Sequence, residues 1–398
     1  MKILHVTPHL GGGVGKAHAA ISAVLPKTIE RTYLLLEPPR DRGHADAIAA
    51  IGARVIVGGI EQAAQLARGA DIVQFEFWNH PRLYECLSRC DFPEMRSVLW
   101  SHVSGLFRPF IAPALMQAAG RFVFTTTASM KAPGVALSEK IAVINSGFGF
   151  ANAPPRKRNE KPRIAYLGTV DFVKMHPGFF DAIDAMPDDT ISVSVWGAAD
   201  VDVVQYARDM RRPGRIDFRG QTADPAAALA EADIFFYPLQ HDHYGTAENA
   251  LIEAMSLGLV PVVMNNPAEL AIIKDGVTGL VAHSVEECTA HMQMLLAAPA
   301  RRAAMAQAAM QEVAATRTPD ISAKQFVDLW QALRLEPARF CDFRAAIGDT
   351  PADWFLATQG PAWTFADERG PASSKGTWAH FDSVFAGDAS LASLRAKI

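Results

Sequence analysis

The stretch His241-Asp-His-Tyr-Gly-Thr-Ala-Glu-Asn-Ala-Leu-Ile-Glu-Ala-Met-Ser-Leu-Gly-Leu-Val-Pro-Val-Val263 reads as a polar loop, a short apolar helix ending at Gly258, and a buried strand at Val260–Val263. Glu253 sits inside that helix among Leu251, Ile252, Ala254 and Met255. An unpaired charge in such a setting costs about several kcal/mol or more. Two vicinal hydroxyls, such as those of a ribose, would satisfy both of its oxygens. The helix start just upstream offers free backbone N–H groups to an anion. A diol reader and an anion reader this close together suggest a nucleotide-diphosphate ligand.

Outward from this stretch the chain alternates strand and helix. Strands are expected at residues 163–167, 191–195, 216–218, 234–237, 260–263 and 279–281, with helices at 177–186, 226–231 and 285–297 between them. The N-terminal half shows the same rhythm, with strands at residues 2–6, 32–36, 54–57, 71–75, 97–100 and 121–124 and a helix at 17–25. Short apolar runs separated by helices mean βαβ units and parallel sheets. The segment Asn152-Ala-Pro-Pro-Arg-Lys-Arg-Asn-Glu-Lys-Pro162 breaks the rhythm with prolines and charges, as a linker does. The expected fold is therefore α/β, two tandem Rossmann-like, doubly wound domains with a cleft between them. The boundaries read as 1–150, a linker at 151–162, a second domain at 163–318, a helical segment at 319–335 crossing back to the first domain, and an extension at 336–398. The Ala-rich stretch from Arg301 to about Leu335 reads as helical. The extension places Trp354, Trp363 and Trp378 among Pro, Gly and Asp with little period, and so many aromatics imply that it folds against something. Ligands of such sheets bind at the carboxyl ends of the strands.

The 398 residues are 49% hydrophobic with a mean hydropathy of +0.07, which suits two well-cored domains. No apolar run reaches the roughly 18 residues of a transmembrane helix. The apolar core of Met1-Lys-Ile-Leu-His-Val6 is too short for a signal peptide, so the chain reads as cytoplasmic. Residues 1–150 carry 15 Lys+Arg against 11 Asp+Glu, and the remainder 23 against 31. That balance argues against nucleic-acid binding. The basic first half is either ordinary surface charge or a peripheral contact with an anionic membrane face. Cys86, Cys90, Cys288 and Cys341 make neither a disulfide framework nor a zinc site and read as reduced structural thiols.

Four further segments carry chemistry. Tyr166-Leu-Gly-Thr-Val-Asp-Phe-Val-Lys-Met-His176 is a strand, a glycine turn and a lysine. Gly11-Gly-Gly-Val-Gly-Lys16 is a glycine turn between strand and helix, where backbone N–H groups can approach a phosphate or sugar. It is no Walker loop, because Ala17 follows Lys16. Ser97-Val-Leu-Trp-Ser-His-Val103 brings His102 to the carboxyl end of a strand. Phe75-Glu-Phe-Trp-Asn-His-Pro81 offers Glu76 and Trp78 as acceptor contacts or as a packed aromatic corner.

Taken in order, these segments and Leu251-Ile-Glu-Ala-Met-Ser-Leu-Gly258 resemble a GT-B glycosyltransferase of the large retaining family 4, over about residues 1–335. Ala142-Val-Ile-Asn-Ser-Gly-Phe148 resembles the family's last strand before the linker. The resemblance implies transfer of a sugar, with retention, from a nucleotide-sugar donor to a glycan or lipid-linked hydroxyl, with no metal and no cofactor. No Asp-x-Asp pair stands at a strand end; Asp200-Val-Asp202 lies in a turn leading to a helix. The resemblance assigns His102 and Lys174 to catalysis, Lys174 facing the donor diphosphate. It assigns Gly12, Gly13, Gly168 and Thr169 to donor binding, together with Gly245, Thr246, Glu248, Asn249 and Glu253. Two departures stand out: Gly245 occupies the place of the family's first Glu, and Thr169 the place of its Arg. Glu248 either takes over the sugar contact or serves as an acidic first-turn residue favoured by the helix dipole. Rival readings are a nucleotide-binding protein of this fold without turnover, and a GT-B epimerase or phosphorylase. A homo-oligomer is open.

Overall fold

The computed structural model describes residues 1–39, 41–136, 138–147, 150, 161–188, 191–246, 248–360, 363–364 and 376–397. Most of the expected linker, residues 151–160, lies outside them, as does the Glu248 side chain. The chain divides into two compact units, residues 1–147 with 319–398, and residues 148–318.

Among its described residues the first unit holds seven strands: β1 (Lys2–Thr7), β2 (Glu30–Leu35), β3 (Arg54–Val57), β4 (Ile72–Phe77), β5 (Ser97–Ser101), β6 (Arg121–Phe124) and β7 (Ile141–Val143). All pair in parallel, in the order β3-β2-β1-β4-β5-β6-β7. The second unit holds β8 (Ile164–Leu167), β9 (Val193–Trp196), β10 (Ile216–Gly220), β11 (Ile234–Tyr237), β12 (Val260–Met264) and β13 (Leu280–Ala282). These too are parallel, in the order β10-β9-β8-β11-β12-β13. In each sheet the order reverses at the first strand, between β1 and β4 and between β8 and β11. Those switch points are where doubly wound sheets open a crevice for ligands.

The central strands are covered on both faces, which is why β4 and β5 are buried at every position and read as near-continuous apolar runs. Three polar residues interrupt the apolar runs of β1 and β4. His5 on β1 pairs with Tyr33 on β2 and Gln74 on β4, and Glu76 pairs with Trp100 on β5. Strand side chains alternate between faces, so these five share one face. Against it pack the helix Gly12–Val24, through His18 and Ser22, and the helix Pro319–Arg334, through Phe326 and Trp330. On the opposite face Phe75 and Phe77 meet Phe92, Tyr84 and Phe343.

Two expectations need correction. The glycine turn expected at 11–15 is already helix: the helix starts at Gly12, which sits at φ +58°. Gly15 lies in its first turn, where a Cβ would come within 1.8 Å of the Leu10 carbonyl oxygen, so only glycine lets the helix start this close to β1. The helical stretch from Arg301 is two helices, Pro299–Thr316 and Pro319–Arg334, because proline cannot continue a helix. Among its described residues the extension forms four short helices, Phe343–Ile347, Pro351–Leu356, Trp378–Val384 and Ala389–Lys397. It packs on the helix Pro81–Arg89 of the first unit. Arg89 lies 4.9 Å from the Trp354 ring centroid, Arg82 lies 5.4 Å from that of Phe385, and Ser88 donates to the Gly348 carbonyl at 2.7 Å. The four cysteines are buried and unbridged. None of the described helices is long and apolar enough to cross a membrane.

Candidate functional site

In the second unit the expected donor residues line the loops after β8 and β11. The loop after β8 presses against the loop after β9: a Cβ on Gly197 would fall 2.1 Å from the Gly168 carbonyl oxygen. Thr169, in the place of an Arg, is exposed, and its carbonyl accepts from the Tyr166 hydroxyl at 2.6 Å. The Lys174 backbone is fixed at both ends, its N–H donating to Asp171 Oδ1 at 3.0 Å and its carbonyl accepting from Gln240 at 2.8 Å. Its ammonium lies 5.7 Å from the Tyr237 ring centroid. Burial alone would lower its pKa, but the phenolic oxygens of Tyr237 and Tyr244 and the Glu269 carboxylate outweigh it and push the value up to about 12. Lys174 is therefore a fixed cation at neutral pH.

Gly245 stands beside this cation. A Cβ there would point at the His243 ring, 3.2 Å from Nδ1, and lie 3.8 Å from Lys174 Cε. The structure thus brings Lys174 and Gly245 together, and it crowds the position where the family carries a carboxylate. Thr246 is buried, and Asn249 is half-buried at the start of the helix Glu248–Ser256. Glu253, 2% exposed, sits within that helix as expected.

A second buried carboxylate, Glu269, was not expected. It is fully buried, accepts from Asn266 Nδ2 at 3.1 Å and lies 3.3 Å from His243 Nε2. The Gly245 N–H donates to His243 Nδ1 at 3.1 Å, which leaves the ring proton on Nε2, facing Glu269. The signal was present in the sequence: Glu269 lies in Ala-Glu-Leu-Ala-Ile-Ile, as apolar a setting as that of Glu253.

In the first unit Glu76 is the centre of a buried polar cluster. His5 Nδ1 lies 3.1 Å and Gln74 Nε2 3.0 Å from Oε1; His102 Nε2 lies 3.0 Å from Oε2. His18 Nε2 is 2.9 Å from Oε2, but without a hydrogen bond's alignment. Burial would raise the Glu76 carboxyl, but His18, His102 and His5 hold it well below the usual carboxylate range. Burial dominates at His5 and lowers it to about 4, so His5 is neutral at pH 7. Glu76 was expected as an acceptor contact. At 0% exposure it touches protein side chains instead, and only His102 of its partners is not fully buried. Trp78, also expected on the acceptor side, is 3% exposed, its ring set edge-on to His9, His80 and His102. The chain turns sharply after it, since Asn79 takes φ +60°, held by Tyr84 and Pro109. Strain of this kind in a non-glycine residue collects at functional sites. Gly12 and Gly13 lie in the first turn of the helix after β1.

Near Trp78, Glu37 lies 3.5 Å from His80 Nε2 and 3.9 Å from His9 Nε2. Burial pushes Glu37 up, but the His80 bond and the charges of His80, His9 and Arg82 bring it below the usual range. Two sets, His5–His18–Glu76 and His9–Glu37–His80, are spaced closely enough to hold a metal ion. In the second set backbone N–H groups of Gly11 and Arg82 donate to the Nδ1 atoms of His9 and His80. That places the neutral ring protons on the Nε2 atoms facing Glu37, a hydrogen-bonding arrangement rather than a set of lone pairs.

Residues 161–298 match the family model described as "Glycosyl transferases group 1". No curated protein sequence matches the chain. Among solved structures, a glycosyltransferase from Rickettsia africae aligns with a TM-score of 0.67 at 12% identity, covering 84% of this chain and 99% of that one. Anabaena HepE in complex with UDP-glucose aligns at 0.68 and 16% identity, over 83% and 100%. Sucrose-phosphate synthase from Thermosynechococcus elongatus aligns at 0.67 and 15% identity, over 84% and 99%. The fold is GT-B. Identities this low carry the fold and not the substrate.

Proposed function

We propose that this GT-B protein transfers a sugar from a nucleotide-sugar donor to a hydroxyl of a glycan or lipid-linked acceptor, with retention and without a metal. The observation that carries the reading is the pairing of a permanent cation, Lys174, with the buried-carboxylate helix of Glu253, both within the matched residues 161–298. Lys174 offsets the charge that builds on the departing diphosphate, a fixed-charge contribution to catalysis. Glu253 receives the two ribose hydroxyls, and backbone N–H groups at the start of its helix meet a phosphate oxygen. The bond from the sugar's anomeric carbon to the diphosphate oxygen breaks. The acceptor oxygen bonds that carbon from the same face, and its proton passes to the departing diphosphate.

The test is a panel of UDP-, GDP- and ADP-sugars, first by thermal shift and then by release of the nucleoside diphosphate. UDP-sugars come first, because HepE is solved with UDP-glucose. A ligand at a hundredfold excess over Kd stabilises by about 2.7 kcal/mol. Stabilisation by no member of the panel would refute the donor site. Gly245, standing for the family's first carboxylate, favours one rival, a binding protein without turnover. Binding without transfer or hydrolysis across the panel would establish that rival.

A further inference from the structure

The strands β1, β2 and β3 begin at the edge of the first sheet opposite its carboxyl edge, and a cavity of about 1220 Å³ lies there. Four cations line it: Lys2 at the start of β1, Lys27 in the loop before β2, Arg31 on β2 and Arg54 at the start of β3. Glu30 is the carboxylate among its lining residues. Among the described residues no carboxylate lies within ion-pair distance of any of the four. Lys2, Lys27 and Arg54 are exposed, so water carries their charge. Arg31 differs, being 8% exposed. Its Nη1 donates to the Ser22 carbonyl at 3.2 Å, and its Nε has no protein partner. Buried charges are normally paired, because only a close opposite charge repays their desolvation. The Tyr33 hydroxyl beside Arg31 supplies none, since burial pushes its pKa up and keeps it neutral. Glu76, on the same face of the sheet, is held by His5, His102 and Gln74, and the Gln74 amide oxygen accepts in turn from Trp330 Nε1 at 2.9 Å.

Helix ends do not balance the charge either. The helices Gly12–Val24, Gly43–Ala50 and Ile60–Ala67 end at this cavity. Each carboxyl end is worth about half a negative charge, so with Glu30 they leave the four cations in excess by about one and a half charges. Lys2 pairs in register with Glu30, and Arg54 with Thr32. Lys2 and Arg54 therefore stand on one face of the sheet and Arg31 on the other. The cations are spread around the end of the sheet, which suits a ligand with more than one anionic oxygen group. We propose that this cavity binds a phosphate-bearing anion, with Arg31 as the buried donor and Lys2, Lys27 and Arg54 as the exposed cations around it. A guanidinium presents a planar fork of donors that matches phosphate oxygens, and lysines add charge without a fixed direction. The phosphate belongs either to a soluble ester or to a lipid headgroup, which share this chemistry. The site lies wholly within residues 2–70, so it stands apart from the glycosyl-transfer reading.

The experiment titrates the full chain by calorimetry with inorganic phosphate, pyrophosphate and fructose 1,6-bisphosphate. A second arm sediments it with phosphatidylcholine vesicles, with and without phosphatidylglycerol. The Lys174→Met variant is the control for phosphate taken up at the donor site. Saturable binding of at least one phosphate-bearing probe is expected, weakening as salt rises. The double variant Lys27→Gln, Arg54→Gln changes two exposed side chains and leaves the fold intact. It weakens binding about tenfold or more, as does Arg31→Gln, the scale of lost charge-assisted hydrogen bonds. Binding of the soluble probes assigns the site to a soluble phosphate ester; sedimentation only with phosphatidylglycerol assigns it to a lipid headgroup. No binding in either arm overturns the proposal. So does a titration that is identical in the wild type and the double variant, or one abolished by Lys174→Met alone. Vesicle binding unchanged in a folded Arg31→Gln overturns it too, because that is attraction to a loose basic surface. If Arg31→Gln does not fold, the exposed double variant decides.

Discussion

His5 gives the sharpest quantitative prediction. Its pKa falls from 6.5 to about 4 on folding, with burial the main cause. The unfolded chain therefore takes up a proton on His5 below pH 6.5 that the folded chain refuses until about pH 4. The stability is present above the unfolded value and is lost as the pH falls through this window. A shift of about 2.5 units corresponds to about 3 kcal/mol at full extent, and to about 2.5 kcal/mol at pH 4.5. His5→Asn keeps a polar group but removes the titration. Its stability at pH 7 should drop, because the Glu76 bond and the stacking on Tyr33 at 4.3 Å are disturbed. Its further loss between pH 7 and pH 4.5 should be smaller than that of the wild type by about 2 kcal/mol. Urea unfolding at the two pH values measures both. Parallel pH dependence in the two proteins would refute the reasoning, because it would mean that His5 is protonated within the fold.

Three further outcomes are expected. Lys174→Met should lower turnover of the donor by about 10²- to 10³-fold, the scale of one electrostatic group at a departing charge, as read by nucleoside diphosphate release; near wild-type rates would remove Lys174 from the mechanism. Glu253→Ala should weaken a ribonucleotide by about 1–3 kcal/mol and leave its 2′,3′-dideoxy analogue nearly unaffected, as measured by calorimetric titration; equal losses for both ligands would separate Glu253 from the ribose. Trp354→Ala should cost about 3–5 kcal/mol in urea, since the ring is fully buried and its N–H donates to the Gly348 carbonyl at 2.9 Å; an unchanged midpoint would mean that the extension contributes little to the fold.

The parallel sheets were legible in the sequence because their strands are short apolar runs bounded by turn residues, and β1, β3, β6, β11 and β12 fall where those runs lie. The helix after β1 starts earlier than expected because glycine tolerates both the φ of Gly12 and the contact of Gly15 with Leu10, and neither shows as a helical signal. The extension was opaque for another reason: helices of five to nine residues are too short to display a period. Around the candidate site, Lys174 is singled out by motif spacing and Glu253 by its apolar helical setting. Glu269 was passed over because an acidic residue just after Asn-Pro reads as an ordinary helix start. His5 and His18 carry no motif that would mark them in the sequence. His5 meets Glu76 only through the register of β1 against β4, which joins residues about seventy positions apart, and His18 only through the packing of its helix on that face.

The bond from Trp330 to Gln74 spans 256 residues. The helix that carries Trp330 is made only after the whole second unit has been synthesised, yet it covers the polar face of the first sheet. Until then His5, Gln74, Glu76 and Trp100 lack one of the two helices that seal them. The first unit cannot finish folding as it emerges from the ribosome, and a chain ending near residue 150 would leave a carboxylate and three imidazoles under an incomplete cover. Domain-by-domain folding, N-terminal part first, is the usual order for chains of this size. Here the second unit is placed to close before the first, and truncation upstream of Pro319 should yield an aggregation-prone N-terminal fragment rather than a smaller stable domain.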